Sequence, residues 1–226
     1  MNDAQLNSHR SWIRHRFIFL VVMLLSMLAV APLLANFIHL RFLFNIFLSA
    51  VLISAVYALS QKIWHLAIAA VLAIPMLVSI WSGFFLRSDA LFLIGRICGI
   101  SFIGFTIFHI LSNIFKEQEV TKDTIAGATA VYLLLALMWA FLYAVLDRLQ
   151  PNSFAISAAA SPLEGRDIFI YYSLVTITTL GYGDITPVSY LASSMAALEA
   201  VVGQLYLVVL VSWLVGMYVS KKSKSL

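Results

Sequence analysis

Charge is what this chain has least of. Lys, Arg, Asp and Glu make up 11% of its 226 residues, against about 25% in an ordinary soluble domain. With 62% of residues hydrophobic, too little polar surface remains to cover a soluble core. The single cysteine, Cys98, excludes an intramolecular disulfide framework and reads as a small core residue. The five histidines are scattered without metal-ligand spacing, and no phosphate-binding loop or nucleophile–base pattern stands out. No enzyme and no resident cofactor are therefore expected. A net charge of +4 would suit a polyanion. The basic residues, however, gather at the chain ends and in short loops, where membrane topology puts them, so no nucleic-acid partner is expected.

What fills the chain is long apolar runs. A membrane span needs roughly 20 apolar residues, and six such stretches are readable, at about 17–38, 42–60, 63–82, 89–114, 126–147 and 190–219. The expected fold is an all-α, multi-pass integral membrane protein. The first run contains Ala29-Val30-Ala31, a signal-peptide-like end, but continues past Pro32 and reads as an uncleaved span. With the N-terminus inside, the inner side carries Arg10, Arg14, Arg16, Lys62, Lys116, Lys122, Lys221, Lys222 and Lys224. The outer side carries Arg41, Arg87, Arg148 and Arg166. That asymmetry favours both termini in the cytoplasm. The polar segment 115–125 reads either as a short helix at the membrane surface or as a solvated loop. It divides an N-terminal region, 1–125, from a second region, 126–226.

Residues 149–166 hold Pro151, Asn152, Ser153, Ser157, Ser161, Pro162 and Gly165, which is turn chemistry. A short helix from Ile168 to Thr179 follows, then Thr178-Thr179-Leu180-Gly181-Tyr182-Gly183-Asp184. Glycines on both sides of a tyrosine permit backbone angles that strain other residues and can turn a row of carbonyls toward one axis. This order of long helix, turret, short helix, glycine-rich loop and long helix resembles the pore domain of tetrameric potassium channels, whose filter usually reads Thr-Val-Gly-Tyr-Gly-Asp. Leu180 replaces the valine, which alters packing behind the loop and leaves the backbone oxygens unchanged.

The resemblance covers about residues 126–219 and implies a homotetramer with one re-entrant pore helix and filter per subunit, between the fifth and sixth spans. It implies K⁺ bound by the carbonyls of Thr179, Leu180, Gly181 and Tyr182 and by the Thr179 hydroxyl, with Gly183 completing the loop. Thr178 would face away from the axis. Tyr171 would stand against the filter and bond Asp184 or Tyr182, and Asp184 would sit behind the outer mouth. The C-terminal end of the pore helix would favour a cation in the cavity. On the last span Gly203, 19 residues after Asp184, takes the place of a hinge glycine. Gln204, Leu207, Val211 and Val215 would line the pore and gate.

Glu199 stands apart. A carboxylate in mid-span costs several kcal/mol without partners or water. It either faces the cavity edge and attracts K⁺, or bonds the pore helix and holds the filter.

Six spans with a filter after the fifth also resemble the voltage-gated layout, but the fourth span carries Arg96 alone. One charge in each of four subunits gives at most about 9 kcal/mol per 100 mV, so little or no voltage sensing is expected. Gly95 and Gly99 form a small-residue helix-contact pair, and His109 reads as packed. The layout resembles small bacterial six-span potassium channels without a voltage sensor or a cytosolic ligand-binding domain, which places it in the bacterial inner membrane. The expected function is passive K⁺ conduction, with lipid as the surrounding partner. A weakly selective cation channel, an ion-coupled transporter and a nonconducting membrane subunit remain as alternatives.

Overall fold

The computed structural model describes residues 16–34, 40–59, 63–83, 88–117, 120–157 and 168–224. Seven helices account for most of them: α1 Arg16–Leu34, α2 Leu40–Leu59, α3 Ile63–Ser82, α4 Asp89–Ile114, α5 Lys122–Leu149, α6 Ile168–Ile177 and α7 Tyr190–Lys224. Four are long and apolar enough to cross a membrane, namely α3, α4, α5 and the Tyr190–Met217 part of α7. Shorter apolar stretches lie at Phe17–Ala29 in α1, Asn45–Leu59 in α2, and Ile168–Ile177. The fold is that of an integral membrane protein built mainly from helices.

Local chemistry sets several helix ends. Ser88 caps α4 by accepting the Leu91 N–H, and Asp89 sits in the first turn, where a negative charge suits the helix dipole. Thr121 caps α5 in a reciprocal box with Thr124, and the Thr124 hydroxyl also donates to Glu117. This box starts α5 at Lys122, four residues before the apolar run suggests. Among the described residues of 115–121 there is only a turn, so the surface-helix reading of this linker fails there and its last residues belong to α5. The α3 helix runs on through Pro75, which neighbouring helices tolerate in spans of this kind.

Packing makes α5 the hub. It contacts α1, α4 and α6 broadly and α7 more narrowly, while α1 packs on α2 and α3 on α4. Gly95 and Gly99 serve this packing. A Cβ on Gly95 would run into the Ser79 side chain, and one on Gly99 would lie 2.9 Å from the Phe141 ring and 3.0 Å from Met76 Sδ. Those two glycines wedge α4 between α3 and α5. Arg96 places its guanidinium 4.3 Å from the centre of the Phe141 ring and 5.3 Å from that of Phe92, a cation–π arrangement. His109 is buried, its ring 4.7 Å from that of His65. At one end, Asp123 of α5 accepts the backbone N–H groups of Phe17 at 3.1 Å and Ile18 at 3.4 Å, capping α1 from another helix.

The chain is not purely helical. Strand β1, Phe154–Ile156, pairs antiparallel with β2, Ile185–Pro187, with Ala155 opposite Thr186. This ribbon joins the segment before α6 to the segment after the glycine-rich loop. The basic residues Arg10, Arg14, Lys62, Arg87 and Arg166, which carry much of the expected orientation, lie outside the described residues. Arg148 forms an exposed ion pair with Asp89.

Candidate functional site

The site is the turn that follows α6. That helix is apolar and ends at Ile177, two residues before the span expected from sequence, because Thr178 and Thr179 leave helical geometry. Thr179, Gly181 and Gly183 then take φ values of +59°, +56° and +75°. Only Thr179 pays in strain, since its Cβ is crowded in the left-handed region and glycine has none. Leu180 and Tyr182 between them have no such positive φ. Alternation of this kind turns successive N–H groups to one side of the chain and the carbonyls to the other.

The N–H side is anchored. Thr179 N donates to the Thr176 carbonyl at 2.9 Å, and Leu180 N and Gly181 N both donate to the Val175 carbonyl, at 2.9 and 3.2 Å. The end of α6 thereby has its open carbonyls satisfied by the loop it launches. The other side is open. Among the described residues no donor reaches the carbonyls of Thr179, Leu180, Gly181 or Tyr182, and residues 178–183 are all exposed in the single chain. The Thr178 hydroxyl turns back to the Leu174 carbonyl at 2.6 Å, and the Thr179 hydroxyl donates to the Thr178 carbonyl at 2.7 Å.

Asp184 closes the loop. Its Oδ2 accepts the Tyr171 hydroxyl at 2.7 Å, its Oδ1 accepts its neighbour's Ile185 N–H at 3.0 Å, and its own carbonyl accepts Ser157 N at 2.9 Å. Tyr182 is 67% exposed and does not share that bond. Tyr172 packs among Tyr143, Phe154 and the α6 core.

The remaining residues lie on α7. Ala192, Glu199, Gly203 and Leu210 form its buried stripe. A Cβ on Gly203 would fall 2.7 Å from the Ile177 carbonyl oxygen, so glycine is required there for close approach of α7 to the end of α6. The hinge role expected from sequence is unnecessary to account for it. Gln204, Leu207 and Val215 are exposed, about a third of a turn round from the buried stripe. The backbone of Val211 continues that line.

Glu199 has no exposed surface. Its carboxyl oxygens meet the Tyr143 hydroxyl of α5 at 2.5 Å and the Ser173 hydroxyl of α6. Sequence reading missed these partners, and it also missed Tyr132, whose hydroxyl donates to the Ile177 carbonyl at 3.1 Å. The signal was there. Tyr132, Ala136 and Tyr143 fall on one face of α5 at spacings of four and seven, which is helical register, and they are polar or small within an apolar run.

Residues 120–220 match a family model described as ion channel. That stretch, which contains α5, the loop and nearly all of α7, is an ion-channel domain, and the match supports the potassium channel pore-domain family for it. No curated protein and no solved structure matches the chain.

Proposed function

We propose that this protein is a K⁺-selective channel that conducts passively as a homotetramer, with four copies of the 178–184 loop around one axis. The observation that carries this reading is the row of carbonyls at Thr179, Leu180, Gly181 and Tyr182, unpaired on one side of a backbone whose N–H groups are pinned on the other. Irregular backbone at membrane depth is tolerated only where protein buries it or water fills a cavity beside it. In a ring of four, the carbonyls substitute for the hydration shell of a dehydrated cation, and K⁺ is the ion that the glycine-tyrosine-glycine sequence suits. Gly183 and Asp184 form the outer end, with Tyr171 and Thr178 as support. Gln204 meets the wet cavity. Leu207, Val211 and Val215 form the aliphatic stretch below it, where dewetting closes the path.

The N-terminal four helices, within 1–125, surround the pore domain of 126–226. Arg96, alone on α4 and lying over Phe141, supports a channel with little or no voltage sensing. The six apolar helices are read as six spans in a bacterial inner membrane with both termini cytoplasmic, and α6 as re-entrant.

The test is the reversal potential of the purified protein in planar bilayers under a K⁺/Na⁺ gradient. The expected value is near the K⁺ equilibrium potential. A value near zero with clear current would replace this reading with a weakly selective cation channel. Silent but intact tetramers would point to a nonconducting subunit.

A further inference from the structure

Two hydroxyls meet the Glu199 carboxyl, one of them also meets a backbone carbonyl, and the hydrogens among them can be counted. Tyr143 Oη lies 2.5 Å from Oε2, and Ser173 Oγ bonds Oε1. Ser173 Oγ also lies 2.7 Å from the Ala136 carbonyl oxygen. A serine hydroxyl has one hydrogen to give, and a carbonyl oxygen has none. If Ser173 donates to Glu199, then Ser173 Oγ and Ala136 O face each other at hydrogen-bond distance with no hydrogen between them. If Ser173 donates to Ala136, the contact with Glu199 needs a hydrogen from the carboxyl. Only the second assignment gives each of the three contacts a hydrogen of its own, without one hydrogen shared between two acceptors. The surroundings agree with it. The groups bonded to Glu199 are the Tyr143 and Ser173 hydroxyls, and neither is a cation that would offset a charge here. A buried carboxylate without a counter-charge is strongly disfavoured.

We propose that Glu199 is an uncharged carboxylic acid in a directional hydrogen-bond chain, Tyr143 to Glu199 to Ser173 to the Ala136 carbonyl, and that this chain positions the pore helix. The chain leaves α5, crosses α7 and α6, and returns to α5 seven residues from its start. It fixes α6 at Ser173. One turn further along both helices, Gly203 of α7 meets the Ile177 carbonyl of α6. These two contacts set the register of α6 on α7. The carbonyls of Val175 and Thr176, which hold the loop N–H groups, lie between them. Glu199 is thus a positioning residue for the loop and does not act as a cavity charge. The consequence for selectivity rests on the channel reading above; the protonation state does not.

Glutamine reproduces the neutral acid, because its NH₂ can donate to Ser173 while its carbonyl accepts from Tyr143. Glu199→Gln is therefore expected to keep the wild-type K⁺/Na⁺ permeability ratio. Glu199→Ala, which strands the buried Tyr143 hydroxyl and takes from Ser173 the hydrogen it accepts, should lower that ratio about tenfold. If the alanine variant does not assemble, Tyr143→Phe removes one hydroxyl, keeps the ring packing, and should lower the ratio about threefold. Infrared difference spectra of the full-length tetramer at neutral pH give a readout independent of conduction. A protonated-carboxyl C=O band present in the wild type and missing from Glu199→Gln supports the proposal. Absence of that difference overturns it, as does a glutamine variant that behaves like alanine. Should the wild type not conduct K⁺ selectively, the channel reading fails and the infrared result alone decides the protonation state.

Discussion

Two long helices frame the ion-channel domain, and the chain covers them very differently. In α5, 61% of the most apolar window is buried against the rest of the chain; in the Tyr190–Met217 part of α7 the share is 12%. The α5 helix is surrounded by α1, α4 and α6, and its apolar residues find partners within one subunit. The α7 helix turns only a narrow stripe inward and leaves Leu198, Val201, Leu205, Val208 and Val209 outside. Lipid alone can cover aliphatic side chains. It cannot satisfy Gln204 or the bare carbonyls of the adjoining loop. The comparison teaches that α5 is covered within one chain, whereas most of α7 is left for surroundings outside it; in the channel reading these are other copies and water.

The strongest way to break this comparison is at its narrow stripe. Gly203→Ala puts a methyl group against the Ile177 carbonyl, and overpacking of this kind costs about 1–3 kcal/mol per subunit. The temperature at which the assembly dissociates should fall markedly, while Gly104→Ala on α4, where a Cβ meets nothing within 4 Å, should leave it unchanged. Equal behaviour of the two would refute the steric role.

A second test sharpens the difference between the faces of α7. In a Cys98→Ser background, Gln204→Cys should react readily with a water-soluble thiol reagent, and Leu210→Cys, which is buried, should not. Protection of position 204 would place lipid or protein where the channel reading needs water.

Smaller effects are expected at the remaining positions. Tyr171→Phe removes the bond to Asp184, a single hydrogen bond whose net worth is about 1 kcal/mol. The permeability ratio should fall severalfold with the assembly intact. Asp123→Ala takes away the cap on α1, so stability should drop by about 1 kcal/mol while the reversal potential stays put. A selectivity change there would mean that the peripheral helices reach the loop. Arg96→Gln should be the mildest, leaving the steepness of any voltage dependence within error in voltage-clamp recordings.

The sequence revealed long elements well and short or cooperative ones poorly. The expected 63–82 and 89–114 coincide with α3 and α4, because an unbroken apolar run flanked by polar residues leaves little choice of boundary. The start of α5 was misplaced because the Thr121–Thr124 box uses threonine where a glutamate or glutamine is the usual signal. Strands β1 and β2 have three residues each, too few for a period-two pattern, and they pair across thirty residues of chain. The loop itself was legible from its two glycines. The positive φ at Thr179 was not, since threonine gives no hint of that conformation. Glu199 announced itself as a buried carboxyl, but its partners lie 26 and 56 residues away and emerge only when three helices meet.

The β1–β2 ribbon has a consequence for how this protein can vary. Ser153 accepts from the backbone of Val188 and Ser189, and Ser157 donates to Asp184, so the strands close a noose around α6 and the loop. Sequence added between Ser157 and Ile168 would enlarge the noose without loosening its knot. Each doubling of a closed segment costs only about 0.6 kcal/mol. Inserts of different length and character between Ser157 and Ile168, a tag included, should therefore be accommodated while the carbonyls of the 178–184 loop keep their places.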